Sequence, residues 1–178
     1  MSPAMNLPTR IALTALAAFA ILSPAAEAKR HQPNLPTPIQ VPAGHKLLEA
    51  HHAIGVQIYA CNGSAWSFVA PRANLYNERG RFRMSHFSGP TWMAKDGSFV
   101  VAHNPVPHPV AGTIPWLRLQ AKSTGAGPYG DKLAETTYIQ RLNTTGGVAP
   151  DAASCNTTTA GTQAEVPYTA DYLFYRAK

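Results

Sequence analysis

The stretch EVPYTADYLFYR (residues 165–176) decides the fold of this chain. Five apolar or aromatic side chains recur there at every second position, which is typical of a β-strand with one buried face. They are Val166, Tyr168, Ala170, Tyr172 and Phe174. The same period of two runs through VQIYAC (residues 56–61). We therefore predict that these two segments form the last and the first strand of one β domain.

Similar short runs, separated by turn residues, predict further strands between these two. They are residues 64–70, 80–87, 91–94, 98–103, 114–122 and 135–142. One short helix is predicted within residues 45–54, because Leu47, Leu48 and Ala50 cluster there. The pattern is typical of an all-β domain: an antiparallel β-sandwich or a closed barrel of about eight or nine short strands, with at most one short helix.

The first 28 residues predict a secretory leader. Arg10 precedes an apolar run, and Ala26-Glu27-Ala28 has the small-x-small pattern after which signal peptidase cleaves. The run is shorter than the ~20 residues that span a bilayer, so we expect no transmembrane segment. We therefore expect a secreted or periplasmic protein cleaved after Ala28. The predicted parts are the signal peptide over residues 1–28, a Pro-rich extension over residues 29–44 and a single β domain over residues 45–178.

The chain contains two cysteines, Cys61 and Cys155. In an exported protein an even number of cysteines favours disulfide pairing over two buried thiols. A Cys61–Cys155 bond would close a long loop and stabilise the fold by about 4 kcal/mol. It would also place the end of the first strand beside the loop that precedes the last strand. We therefore predict one disulfide that closes the sheet between its two ends.

Composition and motifs exclude several classes of function. The formal net charge is +6, but the basic residues are spread thinly apart from Arg79, Arg81 and Arg83, so we expect no nucleic-acid partner. Residues 125–130 match the GxGxxG pattern of dinucleotide-binding proteins, yet Pro128 interrupts them and no βαβ unit surrounds them. We interpret them as a connector between strands and expect no cofactor.

His86 is the first candidate for catalysis or ligand binding. It lies on the apolar face of a predicted strand, and Asp96 or Asp171 could orient it as a general base in a hydrolase-like enzyme. The alternatives are a core histidine, a turn role for Asp96 and an ion pair between Asp171 and Arg141. We expect no metal site, although His86 and His103 could meet across strands as a pair of ligands.

Aromatic residues favour a binding protein over an enzyme. Exported β domains often bind small molecules, glycans or peptides with aromatic side chains. The candidate binding residues are Trp92, Trp116, Tyr138 and Arg141. We therefore interpret the chain as a non-catalytic binding or envelope-associated module, with a secreted enzyme and a structural or stress-related protein as alternatives. The sequence leaves open the oligomeric state and the use of the glycosylation sequons at Asn62, Asn143 and Asn156.

Six motifs, in order along the chain, resemble a known family. They are residues 55–61, 89–92 with 96–98, 114–117, 138–141, 145–150 and 166–172. The chain resembles the domain-of-unknown-function family numbered 3455, which is found in bacteria and fungi and is uncharacterised. Where relatives usually carry acidic residues, this chain has Arg72 and Met93. Some fungal relatives are labelled malate dehydrogenase, a label that does not fit a chain without a βαβ unit.

Overall fold

The computed structural model describes residues 35–178, so the predicted signal peptide and the first part of the Pro-rich extension lie outside the described residues. Eight antiparallel strands form one sheet that closes into a barrel in chain order. They are β1 (His45–Cys61), β2 (Trp66–Tyr76), β3 (Phe82–Phe87), β4 (Thr91–Ala94), β5 (Phe99–His108), β6 (Trp116–Gly125), β7 (Tyr138–Gly146) and β8 (Gln163–Ala177). Short 3-10 helices cover Thr37–Ile39 and Ala152–Ser154. Within residues 35–178 no helix has the length and apolar character to cross a membrane.

The first and last strands close the barrel, as their matching period suggested. β1 pairs with β2 on one side and with β8 on the other, where the ladder runs from His45 opposite Ala177 to Ala60 opposite Gln163. The disulfide joins Cys61 to Cys155, with 5.4 Å between the α-carbons. The predicted all-β fold and the predicted disulfide are therefore confirmed, and the architecture is the closed barrel.

The short helix predicted within residues 45–54 is wrong, because this segment is the first half of β1. Its backbone pairs with β8, with a register shift between Leu47 and Glu49. Consecutive apolar residues at such a shift mimic a helical cluster, since an irregular strand does not alternate strictly. Pairing with a distant strand here overrides the local helix propensity.

The barrel interior holds the main core, and β8 supplies much of it. Tyr168, Ala170, Tyr172 and Phe174 are all buried inside, as their spacing predicts. On the neighbouring strand β1, Gly55 is paired with Tyr168. A β-carbon at this position would lie 2.2 Å from the Arg72 carbonyl oxygen, so only glycine allows β2 to approach β1 this closely.

A second apolar cluster lies outside the barrel, beneath the N-terminal segment. Ile39 is fully buried there against Leu142, Leu173 and Tyr175. The Gln140 Nε2 atom donates to the Ile39 carbonyl oxygen at 2.6 Å. The described part of the Pro-rich extension is therefore packed across β5 to β8.

Candidate functional site

A cavity of about 370 Å³ lies in the barrel and is lined by side chains from most of its strands. Its buried part is formed by inward-facing residues, which include Gln57, His86, Trp92, Leu119 and Tyr172. Its rim is formed by exposed side chains of β2 and by the turn between β3 and β4. It is therefore a partly enclosed, largely apolar site.

Irregular strands position this rim. In the β1–β2 ladder Ile58 pairs with Ala70 and Tyr59 with Phe68, so Val69 is an extra residue. This bulge leaves Phe68 and Val69 at the rim with 55% and 48% of their surface exposed. A bulge re-aims neighbouring side chains in this way, and such bulges are frequent beside functional sites.

An aromatic wall forms one side of the cavity. The rings of His86 and Trp92 are stacked, with centroids 4.1 Å apart and planes 4° from parallel. Tyr172 meets both rings edge-on, at 5.1 Å from His86 and 5.3 Å from Trp92. All three residues are at most 3% exposed, so the packed core around them holds this wall in place.

The protonation state of His86 follows from its surroundings. Its Nδ1 atom lies 2.9 Å from the Thr91 carbonyl oxygen, and because a carbonyl only accepts, Nδ1 carries the proton. Burial lowers the pKa of His86 to about 3; the bond to Thr91 opposes this change and the Arg141 charge adds to it. The ring is therefore neutral at ordinary pH, and its Nε2 atom is an acceptor.

Arg141 brings a positive charge into the cavity. The guanidinium Nε and Nη2 atoms donate to the Pro115 carbonyl oxygen at 3.1 and 2.9 Å. No carboxylate of residues 35–178 forms an ion pair with Arg141, and no Asp or Glu lines the cavity. Burial raises the pKa of the Tyr172 hydroxyl, while the Arg141 charge opposes this rise. The cavity therefore holds a cation without a counter-charge from the described chain.

Gln57 adds a polar group to the apolar lining. The residue is 2% exposed, and its Nε2 atom has no hydrogen bond of normal geometry within residues 35–178, although its side chain lies beside the Tyr168 hydroxyl. The buried Trp92 Nε1 atom also has no hydrogen-bond partner within residues 35–178. Both atoms are donors, and buried donors are normally satisfied in a folded protein. The polar groups left over around this cavity are therefore chiefly donors.

The carboxylates predicted to assist His86 lie elsewhere. Asp96 accepts hydrogen bonds from the backbone and side chain of Ser98 and from the backbone of Lys132. Burial opposes its ionisation, but these bonds outweigh burial and lower the pKa of Asp96. Asp171 accepts from Asn143 and lies 2.8 Å from His52 Nδ1. Neither carboxylate lines the cavity or bonds to His86.

The ion pair expected between Asp171 and Arg141 does not form. In the β7–β8 ladder Arg141 is opposite Tyr172, and Asp171 is opposite Leu142. Side chains alternate between the two faces of a strand, so Arg141 faces the cavity and Asp171 faces outward.

The structure brings together only part of the predicted site. His86, His103, Trp92 and Arg141 all line the cavity. Trp116 and Tyr138 pack instead around the outer cluster beside the N-terminal segment, so the four candidate binding residues do not share one surface. In the described part of the chain no three His, Cys, Asp or Glu side chains are grouped to hold a metal ion.

Sequence reasoning missed Gln57 as a site residue. It lies on the polar side of the alternation in β1, together with Tyr59 and Cys61, yet this is the buried side. The sequence did carry a signal that this side is buried, because the other two residues on it are an aromatic residue and a cysteine that forms the disulfide.

Comparisons with known proteins give one match. The model of a family described as a protein of unknown function (DUF3455) matches residues 42–176, a span that contains every residue lining the cavity. The match confirms the resemblance carried by the six motifs. No curated protein and no solved structure matches the chain.

Proposed function

We propose a ligand-binding role for this chain, which belongs to the DUF3455 family of proteins of unknown function. The ligand is a small molecule held in the barrel cavity. The observation that carries this proposal is the cavity itself, an apolar space of about 370 Å³ on which a few polar groups converge. Small-molecule sites have this composition and volumes of about 300–1,000 Å³.

The size of the cavity favours a small molecule over a peptide or a glycan chain. A volume near the lower end of the usual range suits a compact ligand with up to about three rings. The stacked pair of His86 and Trp92 forms a rigid part of the apolar lining that such a ligand would contact. Phe68 at the rim adds an exposed apolar surface at the entrance.

The surroundings of His86 favour binding over catalysis. A histidine base is usually oriented by a carboxylate, whereas His86 donates its ring proton to a backbone carbonyl. Its pKa of about 3 also lies far from the range that suits proton transfer near neutral pH. His86 therefore acts in this proposal as a fixed acceptor.

We propose that the protein acts outside the cytoplasm. The leader predicted over residues 1–28 supports this. The Cys61–Cys155 disulfide supports it too, since such bonds persist in oxidising compartments.

Titration with a neutral fluorescent dye tests the proposal. N-phenyl-1-naphthylamine is apolar and uncharged, and its emission rises in apolar surroundings. We expect saturable binding to the purified protein, and a rise in melting temperature with dye concentration. The variant Leu117→Trp places bulk in the cavity and should lose binding at least tenfold.

The matched control is Lys122→Trp, on the same strand but at an exposed position outside the cavity. It should bind the dye as the unmodified protein does. If the dye fails to bind, or if both tryptophan variants lose binding equally, the cavity is not the binding site and the proposal is wrong.

A further inference from the structure

We infer that the ligand is a small carboxylic acid, bound as its carboxylate against Arg141 with its apolar body against the cavity wall. This inference rests on the proposed binding role and names the chemical class of the ligand.

The charge of the cavity is the first argument. Its lining contains the Arg141 guanidinium, no lysine and no carboxylate. His86 adds no charge because it is neutral. A charge left without a partner in apolar surroundings is costly, so a ligand that brings one negative charge gains more than a neutral ligand of the same shape. A single cation favours a monoanion over a dianion such as a phosphate monoester.

The direction of the hydrogen bonds is the second argument. Two of the five guanidinium N–H groups are fixed on the Pro115 carbonyl oxygen, which holds the plane of Arg141, and the Tyr172 hydroxyl accepts a further contact from the same side chain. The remaining N–H groups are available to a ligand. Gln57 Nε2, in the same lining, is a further donor without a bond of normal geometry, although its side chain lies beside the Tyr168 hydroxyl. A carboxylate is an acceptor only, with two oxygens, and guanidinium groups recognise it in a forked geometry.

The rest of the lining is the third argument. Leu117, Leu119 and Trp92 contribute apolar surface to the same cavity, and Leu117 is directly opposite Arg141 in the β6–β7 ladder. An inorganic anion would leave this surface without contacts. A carboxylic acid with an aromatic or branched apolar body satisfies both parts of the cavity.

A matched pair of ligands tests the inference on the unmodified protein. 3-Phenylpropionate and 3-phenylpropionamide have nearly the same shape, but only the first is an anion at pH 7. Each is titrated against bound N-phenyl-1-naphthylamine. We expect the acid to displace the dye at a concentration at least tenfold lower than the amide.

Two variants test whether Arg141 causes the preference for the acid over the amide. Arg141→Met should weaken binding of the acid at least tenfold and change binding of the amide by no more than about twofold. Circular dichroism should show that this variant keeps the same β-rich fold. Arg81→Met removes the same charge from an exposed position outside the cavity and should keep the preference. If Arg141→Met does not fold, Arg141→Lys replaces it, and the preference should then be reduced because lysine lacks the fork.

The outcomes separate this inference from the proposed role. If acid and amide displace the dye equally, or if a folded Arg141→Met variant keeps the preference, the inference is overturned while the cavity remains a binding site. If the dye and both test ligands fail to bind, the proposed role fails and the inference fails with it.

Discussion

His86 and Trp92 are stacked face to face in the wall of the cavity, with ring centroids 4.1 Å apart. They are directly opposite each other in the β3–β4 ladder, which explains the contact. Trp92 also meets Phe174 edge-on, so the stack joins the cavity to the packed part of the core. Protonation of His86 would place a positive charge within this buried stack, where the Arg141 charge opposes it, so the folded protein favours the neutral ring.

Stability should fall as the pH decreases from 7 to 5. The pKa of His86 is about 3 in the folded protein, against 6.5 for an ordinary histidine, so the unfolded chain binds this proton more readily. The stabilising effect of the neutral ring is complete above pH 6.5 and is lost as the pH falls toward 3. Between pH 7 and pH 5 the loss is about 2 kcal/mol in the free energy of unfolding, measured by urea denaturation.

The variant His86→Gln identifies the source of this effect. It cannot titrate, so its stability should change about 2 kcal/mol less between pH 7 and pH 5 than that of the unmodified protein. His108→Gln, at a position outside the cavity, should keep the full pH dependence. If the free energy of unfolding changed equally with pH in all three proteins, His86 would not be the source of the effect.

Loss of the disulfide should destabilise the barrel by about 4 kcal/mol. Cys61 and Cys155 are 94 positions apart in sequence, so their bond restricts a large part of the unfolded chain. The double variant Cys61→Ala/Cys155→Ala should show this loss in urea denaturation without a reductant. The unmodified protein with a reductant should match it, and a loss below 1 kcal/mol in both would mean that the bond adds little to the fold.

Gly55→Ala should destabilise the protein by about 1–3 kcal/mol, because the new β-carbon overlaps both the Arg72 carbonyl oxygen and the Ala73 side chain. The second substitution Ala73→Gly separates these two causes. It removes only the side-chain overlap, and the backbone oxygen remains 2.2 Å from the added carbon. Thermal denaturation of the double variant should therefore show little recovery; full recovery would mean that the backbone contact is relieved easily.

Ile39→Ala should lower the free energy of unfolding by about 2–4 kcal/mol. Ile39 is fully buried against β7 and β8, although it belongs to a Pro-rich segment outside the barrel. Thr37→Ala, at an exposed position of the same 3-10 helix, is the matched control and should change stability by less than about 0.5 kcal/mol. If the two variants were equally stable, the N-terminal segment would add nothing to the folded protein.

The all-β fold could be predicted because its strongest signals are local. The alternation in residues 165–176 and the two cysteines are sufficient to indicate first and last strands that lie side by side. The first half of β1 could not be predicted, since its pairing with β8 depends on a partner more than 100 residues away. Periodicity describes one strand at a time, and it does not show a bulge that a neighbouring strand imposes.

The cavity was predictable only in part. The candidates His86, His103, Trp92 and Arg141 all line it, but the sequence did not separate them from Trp116 and Tyr138. Tyr138 and Arg141 are on one strand, and an odd spacing sends their side chains to opposite faces. Which face of β7 lines the interior is decided by the curvature of the closed sheet, and a single sequence does not carry that information directly.

The β1–β8 ladder has a consequence for how the chain reaches its native state. The longest strand pairing in the barrel joins the first strand, β1, to the last strand, β8. The chain must therefore lose the entropy of bringing these distant segments together before their pairing stabilises the fold. Such a high contact order predicts slow folding, on the scale of milliseconds to seconds. If Cys61 and Cys155 are oxidised early, the disulfide would speed this step, because it holds the end of β1 near the start of β8 before the sheet is complete.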